Sequence, residues 1–246
     1  MYRFLPYASR KDQIGKIYQL IVARTKYSLK RAFTAFRKEG LVPSLKILQT
    51  DVFQFFRNYL FRISNYYIYE HTIKERDEAD FLPKIQSFDF HMVSSNREAD
   101  ALARHGVDIR DYFPTARRTL DRGGVAFCIF ISGEFAHGGW VALSEDAKKT
   151  FDGVPYPVDF SNNEACTGGT LTLPKFRGKG LMKYCYFKRF EFLRQKGIKI
   201  SRNAVRADNI ISQRVHAKFD PSRHKVRCVR LLKWKFLIKI RDEVHN

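Results

Sequence analysis

The sequence has little that would staple or ligate a fold. Its four cysteines (Cys128, Cys166, Cys185, Cys228) include no CxxC pair and have no histidine at metal-ligand spacing. Neither a disulfide framework nor a zinc site is therefore expected, and no metal is assigned. The longest unbroken apolar run is Val125–Ile131, well short of the ~18 residues a membrane span requires. With 14 glycines and 8 prolines, collagen-like and low-complexity classes are excluded. Arg3, Arg10, Lys11 and Lys16 interrupt the first apolar stretch, so the opening does not read as a secretory leader, and a soluble, cytoplasmic protein is expected. Acidic residues are the other shortage: 25 Asp plus Glu face 45 Lys plus Arg, a formal net charge of +20. What the 246 residues do have is 44% hydrophobic and 15% aromatic content. That is enough for a sizeable core, which excludes wholesale disorder, and the length suits one large domain or one domain with an appendage.

The basic excess is uneven. Residues 1–50 carry +9, 51–80 carry −2, 81–174 carry −3, 175–220 carry +10 and 221–246 carry +6. A nearly neutral middle thus separates basic ends, whose potential would concentrate an anion such as nucleic acid, phospholipid or a phosphorylated cofactor. Charge alone does not choose among these, and a solvated basic surface explains any single cluster equally well.

Residues 1–80 read as a basic helical extension. Ile14, Ile17, Tyr18, Ile21, Leu29, Ala32, Phe33 and Phe36 form one helical stripe flanked by lysines and arginines. Gly40 is a stop, and Pro43-Ser44 restart a second helix to about Ile73. Such a stripe suits packing, and residues 10–40 also suit an anionic membrane surface.

Beyond residue 80 strands alternate with helices, which predicts a mixed α/β (α+β) fold around one sheet. Expected are a strand at 84–93, a helix from 96 capped by Ser95 or Asn96, and a buried central strand at 125–132. A hairpin turn at Gly133 then leads to a strand at 135–143. Further strands are expected at 165–173, 198–206 and within 226–240, with helices at 180–196 and 209–219.

The most informative stretch is Thr170-Leu-Thr-Leu-Pro-Lys-Phe-Arg-Gly-Lys-Gly-Leu-Met182. A strand ends at Pro174, a loop with two glycines and three cations follows, and a helix opens directly after. A helix N-terminus offers unpaired N–H groups to a phosphate, and Gly178 and Gly180 let backbone approach the anion closely. No Lys-Ser/Thr follows the second glycine, so this is not a Walker loop, and it lacks the three glycines of a dinucleotide fingerprint.

Pro174 to Leu181, between a strand and a helix, resembles the acetyl-CoA pyrophosphate loop of the GNAT acyltransferase superfamily, Arg/Gln-x-x-Gly-x-Gly/Ala. Arg177, Gly180 and Met182 fall on its specified positions, with Met182 in place of a small residue. Asn209 to Phe219 is similar to the family's Asn-x-x-Ala/Ser-x-x-x-Tyr helix, with His216 in place of Tyr and Asp220-Pro221 in place of Gly-Phe. The resemblance covers about 81–246 and implies a GNAT-like central mixed sheet flanked by helices. It further implies acetyl-CoA as cosubstrate, its pyrophosphate on Arg177, Gly178, Lys179, Gly180, Leu181 and Met182, its pantetheine arm along Thr172, and Asn209 and Ser212 lining the cleft. Capping and packing are equally good readings of the last two.

Acyl transfer to a primary amine needs a route for the amine proton and one for the departing thiolate. Glu164 is the first candidate base, followed by Asp159 and His137. His216 stands at the position of the family's acid, with Tyr184 and Tyr186 as further candidates. A strand-end carboxylate and a packed histidine are the plain alternatives. The leading expectation is an N-acetyltransferase acting on a small molecule or protein amine. A CoA-binding module of the same fold without catalysis, and a basic nucleic-acid or membrane-surface binder, are the rivals.

Overall fold

The computed structural model describes residues 33–34, 36–37, 40–55, 61–231 and 234–239. The basic stripe expected over 10–40 therefore lies mostly outside the described residues. The chain divides into two compact units, one of residues 1–62 with 230–234 and one of 63–229 with 235–246. In the first, helix α1 (Leu41–Phe55) exposes Leu41, Val42, Leu45 and Phe53.

The second is a mixed α/β structure. Strand β1 (Phe61–Thr72) precedes β2 (Asp89–Val93), and helices α2 (Asn96–Arg104) and α3 (Ala116–Asp121) follow. A hairpin of β3 (Val125–Ile131) and β4 (Glu134–Ala142) leads to α4 (Glu145–Phe151) and β5 (Glu164–Thr172). Then come α5 (Leu181–Gln195), β6 (Ile200–Arg206), α6 (Ile210–His216), β7 (Ser222–Leu231) and β8 (Trp234–Lys239). The eight strands among the described residues form one sheet in the order β2-β3-β4-β5-β6-β1-β7-β8.

The second helix expected to reach Ile73 is corrected. Helix α1 ends at Phe55, and Phe61–Thr72 is a strand paired antiparallel with β6 from Tyr66↔Arg206 to Thr72↔Ile200. Ile63, Tyr66, Tyr67, Ile68 and Tyr69 are β-branched or aromatic residues that suit a pleated surface. A helical spacing that happened to run on through Ile63 and Tyr67 masked that preference. The strand expected at 84–93 shortens to Asp89–Val93, and α3 and α4 lie where no helix was expected. For α4 the signal was present: Ser144 caps it, its Oγ accepting from Ala147 N–H at 3.2 Å, with Glu145 and Asp146 in the first turn.

Strand β3 shows why the sheet is buried on both faces. Val125, Phe127 and Ile129 pack in the core beneath α5, whereas Ala126, Cys128 and Phe130 pack in the core with residues of α2 and α3. A two-residue alternation covered on both sides reads in sequence as one apolar run. Helix α2 begins as expected, Ser95 Oγ accepting from Glu98 N–H at 3.2 Å.

Arg189, on α5, is completely buried. Its guanidinium donates to Thr170 Oγ1 at 3.3 and 3.4 Å and to Cys185 Sγ at 3.3 Å, and lies 4.4 Å from the centre of the Tyr186 ring. A Cβ on Gly139 would stand 2.2 Å from its Nη2. Gly139→Ala is accordingly expected to destabilise the fold by about 1–3 kcal/mol. Urea unfolding at neutral pH measures it, and an unchanged midpoint would show that the arginine has room to move.

Candidate functional site

The site is built from the way β5 and β6 meet. They are parallel neighbours, paired at Glu164↔Ile200, Ala165↔Ser201 and Cys166↔Arg202. Pairing stops there, although β5 runs on to Thr172 and β6 to Arg206. Because the strands are parallel, the helices that follow them, α5 and α6, both start at the same sheet edge. This edge gathers Thr172, the loop from Arg177 to Met182, Asn209 and Ser212.

The loop has a defined shape. Pro174–Phe176 make one 3-10 turn after β5, and Gly178 and Gly180 adopt φ of 78° and 82°, values that favour glycine. Gly180 is the N-cap of α5. The first turn leaves the N–H groups of Leu181, Met182 and Lys183 without an intrahelical acceptor. The first i→i−4 bond runs from Tyr184 N–H to Gly180 O at 3.1 Å. Leu181 is buried and Met182 packs against the same core, which fixes the helix start. Arg177 Nε donates to Thr172 O at 3.3 Å, and Lys84 N–H donates to Lys179 O at 2.9 Å.

Asn209 caps α6, its Oδ1 accepting from Ser212 N–H at 3.1 Å, and Ser212 is buried. His137 Nδ1 lies 2.7 Å from Thr172 Oγ1, so β4 and β5 are joined by side chains beside the open edge. Burial, reinforced by the Arg189 charge, holds the His137 imidazole well below its usual pKa.

Glu164 is at the opposite end of β5, roughly 26 Å from Thr172 at about 3.3 Å per residue. Its carboxylate accepts from Arg202 Nε and Nη2, each at 2.8 Å, and from Asp159 N–H at 2.8 Å. Burial pushes its pKa up, but Arg202 and the Asp159 amide outweigh that and hold it below the usual carboxylate value. Asp159 in turn accepts from Ser161 Oγ at 2.6 Å.

His216 is wholly buried. Its Nε2 is 3.1 Å from Asn203 Nδ2 and its Nδ1 is 3.0 Å from Nε2 of His71. Both ring nitrogens of His216 are therefore taken up by buried partners. The Tyr69 ring stacks at 4.8 Å and the Tyr186 ring meets it edge-on at 4.6 Å. Burial, then the neighbouring His71 and Arg189, hold His216 well below the usual imidazole value. For His71 burial, with Arg76 behind it, lowers the value to about 3. Tyr184 donates to Glu78 Oε1 at 2.8 Å, and burial first, then that bond, raises it to about 12. The sequence reading did not single out His71, Tyr69, Asn203, Arg189 or Arg202. The alternation Tyr67, Tyr69, His71 in a strand was the available signal for the first two.

No group of three His, Cys, Asp or Glu able to hold a metal occurs among the described residues. Nor, among them, is any helix long and apolar enough to cross a membrane.

Solved structures with similar arrangements include an acetyltransferase of the GNAT family from Colwellia psychrerythraea. It is 14% identical, with 80% of this chain and 63% of that chain covered and a TM-score of 0.45. Another is a GCN5-related N-acetyltransferase-like protein from Streptococcus suis, 16% identical over 75% of this chain and 68% of that one, TM-score 0.44. A functionally unknown conserved protein from Staphylococcus epidermidis is 10% identical over 76% and 68%, TM-score 0.43. No protein-family model matches the sequence, and no curated sequence does.

Two outcomes are expected. Glu164→Gln should cost about 1–3 kcal/mol at neutral pH by removing the charge that Arg202 faces. Because the folded carboxyl titrates below its ordinary 4.5, that stability is present above pH 4.5. The gap between wild type and variant in pH-dependent unfolding should close as pH falls below it. The buried histidines act in the same direction. Unfolded imidazoles take up protons below about pH 6.5 that His71 and His216 refuse, so stability should fall from there toward acid, at up to about 1.4 kcal/mol per pH unit for each. A flat stability profile between pH 6.5 and 5 would contradict their burial as neutral groups.

Proposed function

We propose that this chain is a GNAT-type N-acyltransferase, most simply one that moves an acetyl group from acetyl-CoA to a primary amine of a small molecule or protein. The observation that carries the reading is the early parting of parallel β5 and β6, with the Arg177–Met182 loop and the starts of two helices at the open edge. The residues fit a pyrophosphate. Glycines at positive φ leave the backbone bare, the α5 amides are unpaired, and Arg177 and Lys179 add charge. Beyond Cys166 the β5 edge has no β6 partner, so apart from Thr172 O, which accepts from Arg177 Nε, its backbone can align an acyl-pantetheine arm and offer an N–H to a thioester oxygen. Proximity and such donors supply most of the catalysis this reaction asks for.

Side-chain acid–base chemistry has a smaller part in this reading. Glu164 is committed to Arg202, and both ring nitrogens of His216 are engaged by His71 and Asn203 rather than turned outward. A CoA thiolate, with a thiol pKa of ~8.5, leaves without a donor, and the amine is delivered by its own ionisation. The rate is therefore expected to rise with pH toward the acceptor amine's pKa, without a lower inflection from Glu164.

That same enclosure favours one rival: a CoA-binding module without turnover. The two separate experimentally. Calorimetry should find saturable acetyl-CoA binding, weakened at least about tenfold in Gly180→Val, because a β-branched residue does not tolerate φ near +82°. Unchanged affinity in that variant, still folded, refutes a pyrophosphate seat at the loop. Binding without acyl transfer across a broad amine panel selects the module.

A further inference from the structure

Beside the loop lies a cavity of about 370 Å³ lined by Arg76, Asp77, Asp80, Phe81, Lys183 and Lys218. Three separate segments build it. Arg76 and the 3-10 turn Glu78–Phe81 come from the stretch after β1, Lys183 is the third residue of α5, and Lys218 belongs to the 3-10 turn after α6. At about 1.5 Å of rise per residue, Lys183 is within one helical turn of Gly180. Lys84 adjoins as well, its amide bonded to Lys179 O.

The cations are set in place by the protein, and Arg76 alone among them is paired directly with a carboxylate among the described residues. Arg76 Nη2 donates to Phe219 O at 2.9 Å and is 3.4 Å from the exposed Asp220 carboxylate. Lys183 Nζ donates to Asp80 O, a carbonyl that leaves its charge intact. No acceptor reaches the Lys218 ammonium among the described residues. Burial first, then Lys218 and Lys84, depress the Lys183 pKa against the pull of Asp80, which is how crowded like charges behave. Besides Asp220, two carboxylates oppose them from the lining. That of Asp77 accepts from Ala79 N–H at 2.9 Å, and that of Asp80 faces the cavity.

We propose that this cavity seats a phosphomonoester, the 3′-phosphate of a coenzyme A donor whose pyrophosphate lies on the neighbouring loop. The inference rests on the proposed function, and it turns the cavity into a selector for coenzyme A over its dephosphorylated form. A dianion there relieves the repulsion among Arg76, Lys183 and Lys218, whereas Asp77, Asp80 and Asp220 work against it.

Calorimetric titration of the full chain with coenzyme A, dephospho-coenzyme A and adenosine 3′,5′-bisphosphate tests it. Coenzyme A should bind about tenfold more tightly than the dephospho form. The double variant Lys183→Gln/Lys218→Gln, checked for an unchanged unfolding midpoint, should bind both with the weaker affinity, and Asp80→Asn should tighten coenzyme A alone. The bisphosphate should compete with coenzyme A in the wild type and lose that ability in the double variant. Equal affinities in the wild type, or discrimination that survives the double variant, would overturn the seat while leaving the loop's role standing. Inorganic phosphate that binds as tightly as the bisphosphate would reassign the cavity to free phosphate and overturn the coenzyme assignment. Failure of both coenzymes to bind would overturn the proposed function and the seat together.

Discussion

The bidentate pair between Glu164 and Arg202 ties together the short stretch where β5 and β6 run side by side. Arg202 also reaches Glu70 on β1 at 2.8 Å, so three adjacent strands are pinned at one level of the sheet. Past that level β6 stays with β1, pairing as far as Arg206↔Tyr66, while β5 stays with β4. The two halves of the sheet diverge because each keeps its antiparallel partner. An open backbone edge on β5, and two helix starts at one side of the sheet, follow from that pinning.

The interior encloses several polar side chains among its aromatic ones. His71, His216, His137, Asn203 and Arg189 are all nearly or fully buried. Burying an unpaired charge is costly, and no carboxylate meets Arg189 among the described residues. Its guanidinium is weakly hydrated and planar, which makes the contacts it does have effective: the Tyr186 face, the Thr170 hydroxyl and the Cys185 sulfur. Gly139 clears the space for it. The histidines avoid the same cost by staying neutral, at the expense of stability in acid.

Much of this was legible in the sequence where local chemistry and tertiary context agree. The β3 run, the Ser95 cap, the hairpin at Gly133, and the strand–loop–helix around Gly178 and Gly180 each have a signal contained within a few residues. Strand β1 was not legible, because its apolar residues satisfy a helical spacing as well as an extended one, and its pairing partner lies more than a hundred residues away. Glu164 reads as a candidate base or a strand-end carboxylate and Arg202 goes unremarked for the same reason: β5 and β6 meet through a crossover that no local pattern reveals. Asn209 was read both as a cap and as a cleft residue, and the cap is what its hydrogen bond to Ser212 forms.

The boundary of the family resemblance near residue 81 divides groups that the fold places together. His71 and Tyr69, both upstream, are the immediate neighbours of His216, and Arg76 binds the carbonyl of Phe219 and approaches Asp220. Asp220 takes φ of 49°, a left-handed conformation, with its carboxylate turned toward Arg76. The departures from the family pattern at His216 and Asp220 thus coincide with contacts made by the segment the pattern omits. The 3.0 Å contact between His216 and His71 ties α6 to strand β1. The residues upstream of 81 that this strand brings in are therefore part of the enclosure that keeps His216 buried and neutral.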